Sequence, residues 1–328
     1  MFQRIIVPLD GSERARQALP VAARIASESD GSLCLLRVQI PPVHLNWQME
    51  TEWMHPESRE VERREMASEL VRLASSEELE GREVVTEVVE GLPVQTILEQ
   101  ARIYAADLIV LCSHGRSGIT RWALGSVAQK VVRHSTIPVL VLRAGYPIAF
   151  PSPEERAVRV MVALDGSPLA ESALLPAARL SAALSAPLPG EVHLVRVIPF
   201  STDFEYGQED SFARAKRQAK QEALAYLQTV QQQLAEQVHV RIISSVASSL
   251  DTAFALVSIA ETGEEEGLLR AVEPCDLIAL ATRGRSGPAR WMVGSIAERI
   301  LSATRMPLLV VHPSHSCAEP AHHQKHRV

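Results

Sequence analysis

One stretch of the sequence occurs twice, and this repeat restricts what the chain can fold into. The first copy runs from Cys112 to Ser126 and reads CSHGRSGITRWALGS, and the second runs from Ala281 to Ser295 and reads ATRGRSGPARWMVGS. Each copy follows an apolar run typical of a buried strand and leads into a helical pattern. From Gly115 and Gly284 onward the copies agree without gaps at 12 of 29 positions. We therefore interpret the chain as a tandem repeat of one domain.

Strand patterns alternate with helical patterns in both halves. In each half this alternation predicts a parallel, doubly wound α/β sheet with helices on both faces. Ser12 is expected to cap the first helix, and Pro20 should bend that helix, as Pro176 should in the second half. The predicted strands cover 4–9, 33–38, 83–89, 107–112 and 138–143, and then 160–165, 192–197, 240–244, 276–281 and 307–312.

The repeat also predicts the domain bounds. Residues 1–145 should form the first domain, residues 146–158 a proline-bearing linker, and residues 159–313 the second domain. Residues 314–328 contain Cys317 and four histidines but no recognised zinc spacing, so we expect a disordered tail and no metal site.

Composition and net charge indicate which classes of partner to expect. With 46% hydrophobic and 22% charged residues, a chain of 328 residues can bury two ordinary cores. A net charge of -6 gives no general attraction to nucleic acid or to an anionic membrane, and neither partner is expected. The four cysteines are scattered, and the start of the chain has no secretory pattern, so a reducing cytoplasm is the predicted location.

Two segments do not follow the repeat. The segment from Gln39 to Ser58 carries Trp47 and Trp53 and is long for a connection. It is either a lid or partner surface, or an irregular loop that covers the sheet edge. The run Glu264–Glu266 is predicted to be a solvated insertion without a binding role.

The order of strand, glycine loop and helix suits a phosphate. A glycine loop lets backbone N–H groups approach a ligand, and the first turn of a helix has N–H groups without a partner inside the helix. The hydroxyls of Ser126 and Ser295 either cap the helix or donate to an anion. A glycine-bearing turn with a serine cap is the structural alternative, but two copies with the same spacing favour the anion.

Asp10 and Asp165 follow the first strand of each half. If the first and fourth strands are neighbours at the switch point of the sheet, each aspartate shares a crevice with a glycine loop. A carboxylate opposite a phosphate cradle is the layout expected for a nucleotide. The alternative is a local turn in which the carboxylate only bonds the backbone beside Gly11 and Ser12.

These motifs together resemble the universal stress protein family. The resemblance rests on the opening Val7-Pro8-Leu9-Asp10-Gly11-Ser12, on the doubled Gly-x9-Gly-Ser motif, and on the closing segment 137–142. It implies a tandem member with two Rossmann-like sheets, similar to adenine nucleotide alpha hydrolases, each in the strand order 3-2-1-4-5. It also implies binding of ATP with Mg²⁺ and pairing of the two halves through their final strands, with a homodimer as a further possibility.

The family's nucleotide motif carries over residue by residue. In the family this motif reads Gly-x2-Gly-x9-Gly-Ser/Thr. Its first glycine is replaced by Cys112 in the first half and by Ala281 in the second half, and both side chains are small. In the first half the matching residues are Pro8, Leu9, Asp10, Val38, Cys112, His114, Gly115, Gly125, Ser126 and Val127. In the second half they are Ala163, Leu164, Asp165, Val197, Ala281, Arg283, Gly284, Gly294, Ser295 and Ile296.

Catalytic signatures do not accompany these motifs. The sequence has no Gly-Lys-Ser/Thr phosphate loop and no Gly-x-Ser-x-Gly nucleophile turn at the repeat. No dedicated catalytic residue is predicted, and slow ATP hydrolysis is the most that the motif would support. Three hypotheses stay open: an ATP-responsive stress-response binding or signalling module, which the doubled motif favours; a nucleotide-free scaffold; and a weak ATPase.

Overall fold

The computed structural model describes residues 2–41, 56–113, 124–143, 156–199, 209–266, 269–282 and 293–313. Several predicted features lie outside these residues: the Trp47 and Trp53 segment, most of the linker, the central part of each glycine loop, and the tail.

The described part of the first half alternates strands and helices as predicted. A single-turn 3-10 helix at Glu77–Leu79 precedes its third strand. The elements are β1 (Arg4–Leu9), α1 (Glu13–Arg16), α2 (Ala18–Ser29), β2 (Ser32–Gln39), α3 (Pro56–Ala74), β3 (Glu83–Glu90), α4 (Pro93–Ile103), β4 (Leu108–Cys112), α5 (Ser126–His134) and β5 (Val139–Leu142).

The second half repeats this order and adds a short hairpin. Strands β9 and β10 pair antiparallel with each other, so the Glu264–Glu266 run has a secondary structure that its sequence did not predict. The elements are β6 (Arg159–Leu164), α6 (Pro168–Glu171), α7 (Leu174–Ser185), β7 (Glu191–Pro199), α8 (Glu209–Ala235), β8 (Arg241–Ser249), α9 (Thr252–Thr262), β9 (Glu264–Glu266), β10 (Leu269–Val272), β11 (Leu277–Ala281), α10 (Ser295–Ala303) and β12 (Leu308–Val311).

The first helical segment of each half is interrupted before its proline. Ser12 accepts a hydrogen bond from the N–H of Ala15 and caps α1, as predicted, and α1 ends one residue before Gln17. Pro20 has no N–H to donate to the carbonyl four residues earlier, so the break falls upstream of the proline. The second half has the same break at Ser172 and Ala173, ahead of Pro176.

Ten strands form one sheet in the order β3-β2-β1-β4-β5-β12-β11-β6-β7-β8. Within each half the pairing is parallel and follows the predicted order 3-2-1-4-5. The fold class is therefore confirmed. At the centre β5 and β12 pair antiparallel, with Val139 opposite Val310 and Val141 opposite Leu308.

Both faces of the sheet are covered by helices. Apolar residues of α2, α3, α7 and α8 bury one face, and those of α4, α5, α9 and α10 bury the other. Each of the two clusters contains residues from both halves, so the core is continuous across the β5–β12 junction on each face. Among the described helices, none is both long enough and apolar enough to cross a bilayer.

His193 is a polar side chain within this core. It lies on β7 with no exposed surface, and its Nε2 is 2.8 Å from the Oγ of Ser245 on β8. Burial lowers the pKa of His193 to about 4, and the positive charge of Arg159 adds a smaller effect in the same direction. The ring is therefore neutral in the folded protein at neutral pH.

We expect the free energy of unfolding to fall as the pH is lowered from about 6.5, the ordinary pKa of histidine, toward 4. In this window the unfolded chain binds a proton at His193 and the folded chain does not, so acid favours unfolding, by at most about 3 kcal/mol. Urea unfolding at several pH values would measure the slope. His193→Cys is the matched variant, because Cys34 occupies the equivalent register position in the first half. A variant as acid-sensitive as the wild type would contradict this assignment.

Candidate functional site

A cavity of about 120 Å³ lies at the carboxyl ends of β6, β7 and β11, against the start of α10. β6 lies between β7 and β11, so this is the point where the strand order of the second half reverses. Doubly wound sheets bind their ligands at such a switch point. The cavity is lined by Ala163, Leu164, Asp165, Ala170, Val197, Thr252, Leu256, Leu280, Ala281, Thr282, Gly294, Ser295, Ile296, Ala297 and Ile300.

Most site residues predicted for the second half lie together in this cavity. They come from three strands and one helix, which are distant in sequence. The predicted residues in the lining are Ala163, Leu164, Asp165, Val197, Ala281, Gly294, Ser295 and Ile296. The other two, Arg283 and Gly284, lie outside the described residues.

The lining combines an apolar pocket with a few polar groups. Val197, Leu256, Leu280 and Ile300 supply aliphatic surface. The polar groups are the carboxylate of Asp165 and three hydroxyls, from Thr252, Thr282 and Ser295. Such a lining suits a flat apolar ring that carries hydrogen-bonding edges.

Asp165 is held in a turn with Gly166 and Ser167. Its Oδ1 accepts hydrogen bonds from the backbone N–H of Ser167, at 2.9 Å, and from the Ser167 hydroxyl, at 2.6 Å. Gly166 has φ +83°, a left-handed conformation that favours glycine. The local-turn interpretation of this aspartate is therefore correct. It does not exclude a ligand role, because Asp165 also lines the cavity.

The start of α10 corrects one prediction. Gly294 occupies the N-cap position and Ser295 is the first helical residue, so the interpretation of this serine as a helix cap is wrong. The same correction applies to Gly125 and Ser126 at the start of α5. Ser295 is exposed at the cavity, where its hydroxyl and the first-turn N–H groups of α10 can meet a ligand.

The described residues leave space beside Gly294. Its φ of -62° is open to any residue, so no unusual backbone conformation requires glycine. Among the described residues, a Cβ added there would have the main-chain oxygen of Thr282 as its nearest neighbour, at 3.5 Å, an ordinary contact. Within that part of the chain the missing side chain has no packing reason, and it keeps the backbone of the cavity wall accessible.

Thr282 is a lining residue that the sequence did not predict. Its side chain is 2% exposed, and its Oγ1 has no hydrogen-bond partner within the described part of the chain. A buried hydroxyl without a partner costs about 1–3 kcal/mol. The main-chain oxygen of the same residue accepts the N–H of Gly294 at 2.8 Å, which ties the end of β11 to the start of α10.

The first half has the same arrangement of elements. Four half-buried residues lie at the ends of β1, β2 and β4: Pro8, Asp10, Val38 and Cys112. The fifth, Leu9, is buried in the core. Gly125, Ser126 and Val127 begin α5, and the N–H of Gly125 donates to the oxygen of Ser113 at 2.7 Å. His114 and Gly115 lie outside the described residues.

Cys112 distinguishes the first site from the second. Burial, with a smaller contribution from the nearby Asp10 carboxylate, raises the pKa of the Cys112 thiol to about 12. The thiol is therefore neutral at physiological pH. It places a sulfur where the second half has only the methyl group of Ala281.

Comparison with known sequences identifies the family. The profile of the Universal stress protein family matches residues 1–143 and 158–312. The chain belongs to the universal stress protein family. Both halves are matched, so this universal stress protein carries the family's domain in tandem.

The relatives include proteins that match one half of this chain and proteins that match most of it. A universal stress protein of Methanocaldococcus jannaschii is 31% identical over 149 residues, which cover 44% of this chain and 83% of that protein. One from Mycobacterium bovis is 25% identical over 260 residues, 78% of this chain and 79% of that one. The solved structure of an Archaeoglobus fulgidus universal stress protein covers 95% of this chain and 99% of its own, with a TM-score of 0.59 at 19% identity, which shows a shared fold.

Other lining residues of this universal stress protein also escaped the sequence motifs. Ala170 lies on α6, and Thr252 and Leu256 lie on α9, an element that contains no glycine motif. Leu280, Ala297 and Ile300 are apolar and periodic, as core residues are. Their positions follow from the strand order, because α9 packs beside α10 on the same face of the sheet.

We expect Asp165→Ala to lower the free energy of unfolding by about 1–2 kcal/mol, because it removes the acceptor of two hydrogen bonds in the turn that precedes α6. Asp165→Asn keeps an oxygen at Oδ1 and should lose less than half as much. Urea unfolding of both variants of this universal stress protein would measure the difference. Equal losses would mean that charge, not the turn geometry, sets the contribution of Asp165.

Proposed function

We propose that this universal stress protein binds ATP in the cavity of the second half and acts as a stress-response binding and signalling module. The observation that supports the proposal most strongly is the convergence of family-motif residues in one cavity. Residues as far apart in sequence as Ala163, Val197 and Gly294 line the same space.

The cavity suits the base of the nucleotide. A volume of about 120 Å³ is below the roughly 300–1,000 Å³ of pockets that enclose a whole ligand. It therefore accommodates one ring system, with the rest of the molecule outside. In this proposal adenine lies against Ala163 and Val197, and Asp165 accepts a hydrogen bond from the base or the ribose.

The triphosphate would then lie at the start of α10. The N–H groups of the first turn have no partner inside the helix and carry the positive end of the helix dipole. The backbone at Gly294 is open to close approach, and Ser295 adds a hydroxyl donor. Mg²⁺, when bound, would neutralise phosphate charge and would be held largely through the phosphates and water.

Two features of the cavity are not explained by the described part of the protein. Among those residues, the missing Cβ of Gly294 meets no packing need and the Thr282 hydroxyl has no partner. A bound nucleotide would occupy the space beside Gly294 and would offer the Thr282 hydroxyl a hydrogen-bond partner. The same reasoning gives the first half a weaker site, because the Cys112 sulfur takes up space beside Asp10.

We also propose that the two halves, residues 1–145 and 159–313, behave as one body in solution. The β5–β12 pairing and the 2.9 Å ion pair between Arg133 and Glu298 support this. Small-angle scattering should give one compact particle, because separation would expose two apolar strands. A distribution typical of two beads on a linker would contradict it. A second copy of the chain, if bound, would appear as a doubled scattering mass.

We expect the protein, freed of nucleotide, to bind ATP with Mg²⁺ at a Kd of about 1 μM, or about -8 kcal/mol. Gly294→Ala should weaken this binding at least about tenfold, because a methyl group then occupies the space beside the phosphates. The same change should leave stability unaltered or raise it by about 0.4–1 kcal/mol, since alanine restricts the unfolded chain and meets no clash.

Calorimetry and urea unfolding of the same samples would measure both effects. Gly125→Ala is the matched control for the first half and should leave the tighter binding event unchanged. Mass spectrometry of the denatured supernatant would show beforehand whether the purified protein carries adenine nucleotide. Absence of binding in verified nucleotide-free protein would reject the proposed function and leave the scaffold hypothesis.

A further inference from the structure

Arg143 of the first half contacts the helix that lines the cavity of the second half. It directly follows β5, and the residue is 6% exposed. Its Nη2 donates a hydrogen bond to the main-chain oxygen of Leu301, in the last turn of α10. The contact crosses the β5–β12 junction and joins residues 158 positions apart in the sequence.

Among the described residues, the Leu301 oxygen has no other donor at the helix end. The last carbonyls of a helix have no partner within it. Here the N–H of Thr304 bonds the oxygen of Ile300, at 3.1 Å, and the N–H of Arg305 turns away to bond Glu261 Oε1, at 3.1 Å. Arg143 therefore caps the carboxyl end of α10 with a positive charge, which complements the helix dipole.

The two ends of α10 thus make different contacts. The helix has nine residues and spans about 13 Å at 1.5 Å per residue. Gly294 and Ser295 at its start line the cavity, and Leu301 at its other end meets Arg143. A short, continuously hydrogen-bonded helix moves as a rigid body, so a shift at one end displaces the other.

We propose that Arg143 is a positioning residue for the nucleotide site of the opposite half, an inference that rests on the function proposed above. It holds the carboxyl end of α10, and thereby sets where the first-turn N–H groups meet the phosphates. The second-half site is incomplete without the first half. Burial lowers the pKa of Arg143 to about 10, which leaves the guanidinium charged at neutral pH.

The arrangement is not symmetric. The position equivalent to Arg143 in the second half is His312, which follows β12 and has a shorter side chain. The second half therefore has no guanidinium at this position. The Arg133–Glu298 pair also bridges the halves on α10, but its side chains are 40% and 50% exposed, and such surface pairs contribute little.

The test compares ATP with adenosine on the full-length protein. Calorimetry would follow the binding event that Gly294→Ala weakens, in the presence of Mg²⁺. Arg143→Met should weaken ATP binding about tenfold and adenosine binding clearly less, since the phosphates meet the first-turn N–H groups of α10, whereas the base is also held by β6 and β7. Arg143→Lys, which keeps a charged donor, should recover most of the loss. Arg133→Met is the matched control and should change ATP affinity less than about twofold.

The outcomes separate the two proposals. If the wild type binds neither ATP nor adenosine, the proposed function fails and the inference fails with it. If the wild type binds ATP and Arg143→Met binds it equally well, the inference alone is wrong. Equal weakening of ATP and adenosine, or an equal effect of Arg133→Met, would also overturn it, because either result indicates general loosening of the junction.

If the methionine variant does not fold, Arg143→Gln decides: its shorter neutral amide should weaken ATP binding severalfold, and unchanged ATP affinity would reject the inference.

Discussion

The antiparallel contact between β5 and β12 is the interaction on which the arrangement of the whole chain depends. Each strand has four apolar residues, with exposures between 0% and 4%. In a separate half either strand would be a sheet edge with unpaired backbone groups and a surface prone to aggregation. Pairing satisfies both edges at once, makes one ten-stranded sheet, and lets a single core layer on each face extend across both halves.

Duplication has preserved the scaffold of the two sites more strictly than their lining. The Asp-Gly-Ser turns have the same hydrogen-bond lengths, 2.9 and 2.6 Å, in both halves. The side chains around them differ: Pro8 corresponds to Ala163, and Cys112 to Ala281. Turn geometry is required for each half to fold, whereas the lining determines only what the crevice accepts. The side chains at the strand ends can therefore differ between the halves without a change in the turn.

Much of the fold was predictable because its signals are local and repeated. Buried strands appear as apolar runs, so their bounds fall within a few residues of the prediction, and the family resemblance supplied a strand order that the structure confirms. Other features depend on choices that sequence preference does not decide. Glycine took the N-cap position, although serine is favoured there in general. The β9–β10 hairpin contains three consecutive glutamates and has no apolar alternation. Thr282 lies beside the glycine motif, and only its burial without a partner marks it as a candidate ligand contact.

The hydrogen bonds that join Ser113 to Gly125 and Thr282 to Gly294 have a consequence for how such a chain can diversify. Each bond ties the end of a strand to the start of the next helix, so the anchor points of the intervening loop do not depend on what the loop contains. Doubling the length of a flexible loop between tied ends costs only about 0.6 kcal/mol. Insertions and substitutions there can change ligand preference while the helix start stays in place. Recognition can thus evolve in this segment almost independently of folding.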